Sequence, residues 1–290
     1  MRDEKNMNIQ WYPGHMTKTR RQMEADLKQV DAVCEIVDAR IPISSRNPDI
    51  DLLCGGKPRI LVLNRMDLAD PSATQKWMAF LKNRGMTVIA TDCKTKKGIS
   101  GFSAAARAAC AEKLARDAAR GMNRPLRVMV VGIPNVGKST LINQISGRKG
   151  LKAENRPGVT RGKQWVSVDS GLLLLDTPGI LWPKFEDPKV GMMLSYTGAV
   201  KEGVIDLEEL AYHLMELLHR YYPQVLMDRY KVDAPQGTPG WELLEMAGRG
   251  RGYLISGGEV NLERMAKVLL DEFRSGKLGK FTLEMPEDMV

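Results

Sequence analysis

Three short apolar runs rich in β-branched residues, AVCEIVDA at 32–39, RILVLNRMD at 59–67 and TVIATDC at 87–93, are too short for helices and read as buried strands. Between the last two, residues 72–84 set Trp77, Phe80 and Leu81 on one helical face, which predicts a crossover helix and hence a parallel sheet. Upstream, Met16, Met23, Leu27 and Val30 recur at helical spacing opposite Lys18, Arg20, Arg21 and Lys28, an amphipathic helix. It follows an aromatic arm, Trp11 to His15, that Pro13 and Gly14 keep from being helical. Downstream, an alanine-rich helix over about 102–120 is stopped by Gly121 and Pro125. The runs LRVMVV at 126–131, WVSVD at 165–169 and GLLLLD at 171–176 then read as strands, the last two as neighbours.

Past residue 182 the strand-like runs give out. Asp206 with Glu209 forms a capping box for a helix that stops at Pro223, and a second helix starts near Trp241. A third, N-capped by Asn261, carries Leu262, Met265, Val268, Leu269 and Phe273 as a stripe and ends at Gly276. The expected organisation is an N-terminal arm at 1–14, an α/β domain at 15–182, and a linker with a small all-helical domain at 183–290. His213 and His219 read as helix-face residues.

Composition adds partners and compartment. No apolar run in the 290 residues approaches the roughly 18 needed to span a bilayer, so no membrane role is expected. A net charge of +8 favours an anionic partner such as nucleic acid. Cys34, Cys54, Cys93 and Cys110 are scattered without a C-x-x-C pair, which argues against a zinc site and a disulfide framework and fits a reducing compartment. The opening MRDEKNMNIQ has acids and no apolar core, so a cytoplasmic location is expected; the oligomeric state is left open, with a monomer as the expectation.

The strongest chemical signal is GIPNVGKS at 132–139, which matches G-x-x-x-x-G-K-[ST] between a predicted strand and a predicted helix. Glycines allow backbone N–H groups of Asn135, Val136, Gly137, Lys138, Ser139 and Thr140 to wrap phosphates at a helix N-terminus. Lys138 is expected to reach the β- and γ-phosphates and Ser139 to bind magnesium. Asp176, at the end of an apolar strand in DTPG, is placed to hold that magnesium through water, and Gly179 to offer its N–H to the γ-phosphate. Thr160, in the polar loop RPGVTRG, is the candidate switch threonine for magnesium and phosphate.

NRMD at 64–67 follows a strand and differs from the common N-K-x-D by one arginine. A carboxylate at Asp67 accepts paired hydrogen bonds from guanine N1–H and the 2-amino group, a pattern adenine does not offer, while Asn64 braces the site. Arg65 can stack over the purine in place of lysine, and Thr91, Asp92 and Cys93 stand where a loop backbone would meet guanine O6. The order is base loop, O6 loop, phosphate loop, switch threonine, DTPG, a circular permutation of the usual one. Nothing is lost by it, because ligands bind where the C-terminal ends of parallel strands converge.

WYPGHM, DARIP, SSRNP, NRMD, GIPNVGKS, PGVTRG and DTPGILWPKFED together resemble the ribosome biogenesis GTPase A family of circularly permuted GTPases, and WELLEMAGRGRGYL and the stretch from Val260 resemble that family's helical domain. The resemblance implies a GTP-hydrolysing switch acting late in assembly of the large ribosomal subunit, with GTP/GDP and Mg2+ as ligands and ribosomal RNA as partner. Arg249, Arg251, Arg264, Lys267, Arg274, Lys277 and Lys280 are the RNA-contact candidates, against the plainer reading of a solvated face. Ile180 takes the position of the water-orienting glutamine and cannot do its work, so slow intrinsic turnover is expected. His15 is the candidate to position water instead, the alternative being that it caps or packs its helix. Asn135 stands where related GTPases bind potassium, so K+ stimulation is expected. Two other readings are an ATP-dependent kinase or ATPase, opposed by Asn64 and Asp67, and a nucleotide-independent RNA scaffold, opposed by the intact Lys138, Ser139, Thr160 and Asp176.

Overall fold

A computed structural model of the chain describes residues 14–147, 164–179, 187–200 and 206–289, with side chains from residue 21 onward. Six strands form one sheet: β1 (Ala32–Asp38), β2 (Arg59–Asn64), β3 (Thr87–Thr91), β4 (Leu126–Gly132), β5 (Gln164–Asp169) and β6 (Leu172–Asp176). Their spatial order is β3-β2-β1-β4-β6-β5. All neighbours are parallel except β5 and β6, which pair antiparallel as a hairpin at one edge. Asp38 is in register with Asn64, Asn64 with Thr91, Ile36 with Gly132 and Val130 with Asp176, so the C-terminal ends of five strands line one rim. The connection from β1 leads to β2 on one side and that from β4 leads to the hairpin on the other. The topological switch point therefore lies between β1 and β4.

Helices α1 (Gly14–Leu27), α2 (Asp49–Leu53), α3 (Pro71–Asn83), α4 (Phe102–Ala109), α5 (Ala111–Ala119) and α6 (Lys138–Ser146) accompany the sheet. Met23, Leu27 and Val30 pack with Ile50, Val33, Met129, Val131 and Leu175. Trp77 and Leu81 of α3 pack with Val37, Leu61, Leu63 and Val88. Each such side chain taken fully out of water contributes about 1.5–3 kcal/mol. The alanine-rich stretch expected as one helix breaks at Cys110, whose φ of −108° and ψ of 17° lie outside the helical range. The cause is tertiary: α4 buries Phe102 and Ala106, whereas α5 buries no residue and is tied down by Lys113 and Arg124 on Asp31 and Asp117. Residues 284–289 group with this α/β unit. There Trp77 Nε1 donates to the Glu284 carbonyl at 2.8 Å, and Lys76 pairs with Glu287 at 3.0 Å.

The second compact unit takes the described residues from 187 to 283 and holds α7 (Pro188–Tyr196), α8 (Leu207–Tyr221), α9 (Pro223–Tyr230), α10 (Gly240–Gly250) and α11 (Leu262–Ser275). Asp206 caps α8 by accepting from the N–H groups of Glu208 and Glu209, and Asn261 caps α11 through Arg264 N–H. Pro223 ends α8 and also starts α9, since a proline lacks only a donor that the first helical turn leaves unused. Leu210, Leu214, Leu218, Leu243, Leu244, Met265, Leu269 and Phe273 are buried in this unit. No helix among the described residues is long and apolar enough to cross a membrane.

Candidate nucleotide-binding site

The phosphate-binding sequence forms the turn from β4 into α6, with Gly137 as the residue before the helix at φ 99°. A Cβ on Gly137 would lie 2.5 Å from Asn64 Nδ2, so the loop needs glycine both for its left-handed backbone and for room. Asn64 ends β2 and sits at the centre of a small hydrogen-bond hub. Its Nδ2 donates to Val136 O at 2.8 Å, while its Oδ1 accepts from Thr91 Oγ1 at 3.0 Å and Cys93 Sγ at 3.3 Å. The next residue, Arg65, adopts φ 60°, an uncommon conformation for a long side chain, and donates Nη2 to Asn135 O at 2.7 Å. Asn135 is itself left-handed at φ 59°. Two adjacent residues of the NRMD sequence thus grip two adjacent carbonyls of the phosphate loop, which draws the two motifs onto one rim despite their inverted order.

Asp67 follows in the same loop, half-buried, with its carboxylate 3.1 Å from Lys94 Nζ. Lys94 is 71% exposed, and an ion pair of that exposure is weak, so the carboxylate is readily turned to a ligand. Asp92 serves its own loop: it accepts from Lys94 N–H at 2.7 Å and from Thr95 Oγ1. Burial pushes the Cys93 thiol up to about 11, so it acts as a neutral donor to Asn64.

At the phosphate end, Lys138 is buried and donates Nζ to the carbonyls of Gly132 and Ile133, each at 3.0 Å. Burial lowers its pKa to about 8, with Asp176 opposing the shift. Asp176 is buried at the end of β6, and burial raises its carboxyl above the usual carboxylate range, with Lys138 pulling it back. Its Oδ2 lies 3.4 Å from Ser139 Oγ, and its Oδ1 is buried without a hydrogen-bond partner among the described residues. A buried carboxylate oxygen in want of a partner next to a serine hydroxyl suits a hydrated divalent cation. A Cβ on Gly179 would meet Lys138 Nζ and Pro134 Cα, each at 2.9 Å, so DTPG lies directly against the phosphate loop. Thr140 is half-buried in the first turn of α6. Thr160 and Ile180 lie outside the described residues; Gly14 and His15, expected in a non-helical arm, instead open α1, since a proline just ahead of a helix and a glycine in its first turn do not prevent it, and the His15 side chain lies outside the described residues. Among the described residues there is no group of three or more His, Cys, Asp or Glu that could hold a metal ion.

Sequence reasoning missed a second layer behind Arg65. Asp38, buried at the end of β1, receives the wholly buried Arg40 through Nε at 2.9 Å and Nη2 at 2.7 Å. Its Oδ2 lies 3.9 Å from Arg65 Nε. The neighbouring guanidinium groups hold the Asp38 carboxyl below the usual range against the cost of burial. Acid and arginine two residues apart at the end of an apolar strand were the available signal.

A family model described as 50S ribosome-binding GTPase matches residues 127–228, beginning in β4 just ahead of the phosphate loop and leaving NRMD upstream. The ribosome biogenesis GTPase A of Bacillus cereus is 44% identical over 97% of this chain and 95% of its own length. That of Thermotoga maritima is 32% identical over 97% and 96%. A GDP-bound structure of TM YlqF superposes with a TM-score of 0.68 at 29% identity, covering 92% of this chain and all of that one. A GNP-bound YlqF from T. maritima gives 0.62 at 28%, over 93% and 99%. With a phosphate-loop sequence tied to the upstream NRMD loop, and with this likeness running nearly end to end, the chain belongs to the ribosome biogenesis GTPase A family of GTP-hydrolysing enzymes.

Proposed function

We propose that the chain is a cytoplasmic GTP-driven switch in late assembly of the large ribosomal subunit. The observation that carries the nucleotide half of this reading is the hydrogen bond from Asn64 to Val136 O, which holds the base-reading and phosphate-gripping loops together at the switch point. Asp67 selects guanine, Arg65 flanks the purine, and Thr91, Asp92 and Cys93 frame the O6 side. The backbone from Asn135 to Thr140 cradles the phosphates, and Lys138 neutralises the β- and γ-phosphates. Ser139, Thr160 and Asp176 form the magnesium side, where Mg2+ supplies charge neutralisation between the phosphates. Gly179 donates to the γ-phosphate, and His15 stands in for the glutamine that Ile180 replaces.

Potassium extends this scheme through Asn135, whose left-handed backbone is held by Arg65 at the mouth of the loop. A cation there offsets charge developing between the phosphates. Turnover is expected to be several-fold faster in potassium than in sodium buffer, and equal rates would remove Asn135 from that role.

The helical unit supplies the RNA-facing surface. Arg264, Lys267, Lys277, Lys280 and Arg249 are exposed there, with Arg249 paired to Glu245 and Arg264 lying 4.4 Å over the Tyr253 ring. Arg274 instead donates to Ser195 O and Tyr196 O at the end of α7, and Arg251 leans on Glu272, so these two serve the fold as well as the surface. Sedimentation of the monomeric protein with large ribosomal subunits should show tighter association with a nonhydrolysable GTP analogue than with GDP. Association that ignores the nucleotide would sink the switch.

A further inference from the structure

The loop that follows β1 carries Asp38 at its start and turns its own N–H groups inward, and a carboxylate from 240 residues further along the chain receives them. Glu284 is buried; its Oε2 accepts Ile43 N–H at 2.6 Å, and its Oε1 accepts Ser44 N–H at 3.1 Å together with the Ser44 hydroxyl. A buried carboxylate satisfied by main-chain donors fixes a loop more firmly than an exposed ion pair can. The next hydroxyl passes the constraint on: Ser45 Oγ accepts from Asp38 N–H at 3.0 Å and donates to Ile41 O at 2.6 Å. Asp38 then holds Arg40 and faces Arg65, and Arg65 donates to the phosphate-loop carbonyl of Asn135. All of these residues belong to the α/β unit, and the Trp77 and Lys76 contacts of α3 hold the 284–289 segment in place.

We propose that Glu284 is a positioning residue of the guanine-nucleotide site, acting through the 39–47 loop and the Asp38–Arg65 contact to set the phosphate loop. The proposal rests on the reading above, in which NRMD and the phosphate loop grip one nucleotide. Its consequence is that the final segment of the chain tunes nucleotide retention without touching the nucleotide. A merely structural staple would alter the unfolding temperature and leave nucleotide release alone.

The test uses the full chain as wild type, Glu284→Gln, Ser44→Ala, the double variant and Asp67→Asn. Release of a fluorescent methylanthraniloyl-GDP is followed by stopped flow beside thermal unfolding of the nucleotide-free proteins. Glu284→Gln is expected to release GDP roughly five- to tenfold faster and Ser44→Ala about two- to threefold faster, with the double variant no faster than Glu284→Gln because the two groups act as one unit. Ser44→Ala keeps both main-chain donors and carries the test should Glu284→Gln fail to fold. Release within about 1.5-fold of wild type in the folded variants, or a lowered unfolding temperature with unaltered release, overturns the proposal. Asp67→Asn separates the failures. If it loses GDP while Glu284→Gln behaves as wild type, only the positioning role falls; if it retains GDP, the nucleotide-site reading falls and takes the positioning role with it.

Discussion

Asp67→Asn is expected to weaken guanine-nucleotide binding on the order of a thousandfold and to confer binding of xanthine nucleotides. The carboxylate can only accept, which suits the adjacent N1–H and 2-amino donors of guanine. Xanthine carries an oxygen where guanine carries the amino group, so an asparagine amide that both donates and accepts restores the pair. The substitution leaves the rest of the grip standing, because Asn64 still bonds Val136 O and Arg65 still bonds Asn135 O. Xanthosine diphosphate should therefore bind the variant within about tenfold of the wild-type affinity for GDP, the phosphate end being unchanged. Titration with GDP, XDP and ADP decides it, and wild-type GDP affinity in the variant would dispose of the assignment.

Removing the phosphate-loop lysine with Lys138→Ala should slow GTP hydrolysis about a hundred- to a thousandfold, the usual cost of deleting one preorganised charge from a transition state. GTP affinity should fall more than GDP affinity, since the amine serves the γ-phosphate as well as the β. The same residue leaves a signature in pH. Burial sets the Lys138 pKa at about 8, below the 10.5 of an unfolded lysine. Between those values the unfolded chain holds more proton at this residue than the folded one, so the Lys138 contribution to the stability of the nucleotide-free fold rises with pH through the window, while the buried cysteine thiols, raised by burial, pull the other way above about 9. Below the window both states are protonated and the penalty is constant. Phosphate binding needs the charged amine, so GTP affinity should move the opposite way and weaken as pH climbs past about 8. Calorimetric unfolding and GTP titration across this range, each read as the difference between wild type and Lys138→Ala so that the cysteine contribution cancels, check the pair of trends.

What could be read from the chain alone was what depends on near neighbours. GIPNVGKS needs only a strand before it and a helix after it, and both surround it in the fold. NRMD was legible for the same reason, and Asn64 was expected to brace the site; its partner, Val136 O, lies 72 residues away and no local pattern announces it. The break at Cys110 was invisible because AAARAACAEKLARDAA is uniformly helix-prone and only packing distinguishes its halves. Helix α2, five residues long, and α9, which begins on the proline that ended its predecessor, offer too little periodicity to find. Arg274 read as a surface cation until its hydrogen bonds to the end of α7 gave it a packing role. Glu284 carried no signal, since its partners stand at the far end of the sequence.

The strand order β3-β2-β1-β4-β6-β5 divides the sheet into two contiguous stretches of chain, one on each side of the β1–β4 boundary. In the proposed site, the residues assigned to the purine, 64–67 and 91–93, are translated before those assigned to phosphate, 135–140. A nascent polypeptide thus carries its specificity first and gains its affinity only when the second half emerges and docks along that boundary. In the finished protein a nucleotide held in the proposed site would span the same seam, stitching together the two halves that the ribosome made in succession.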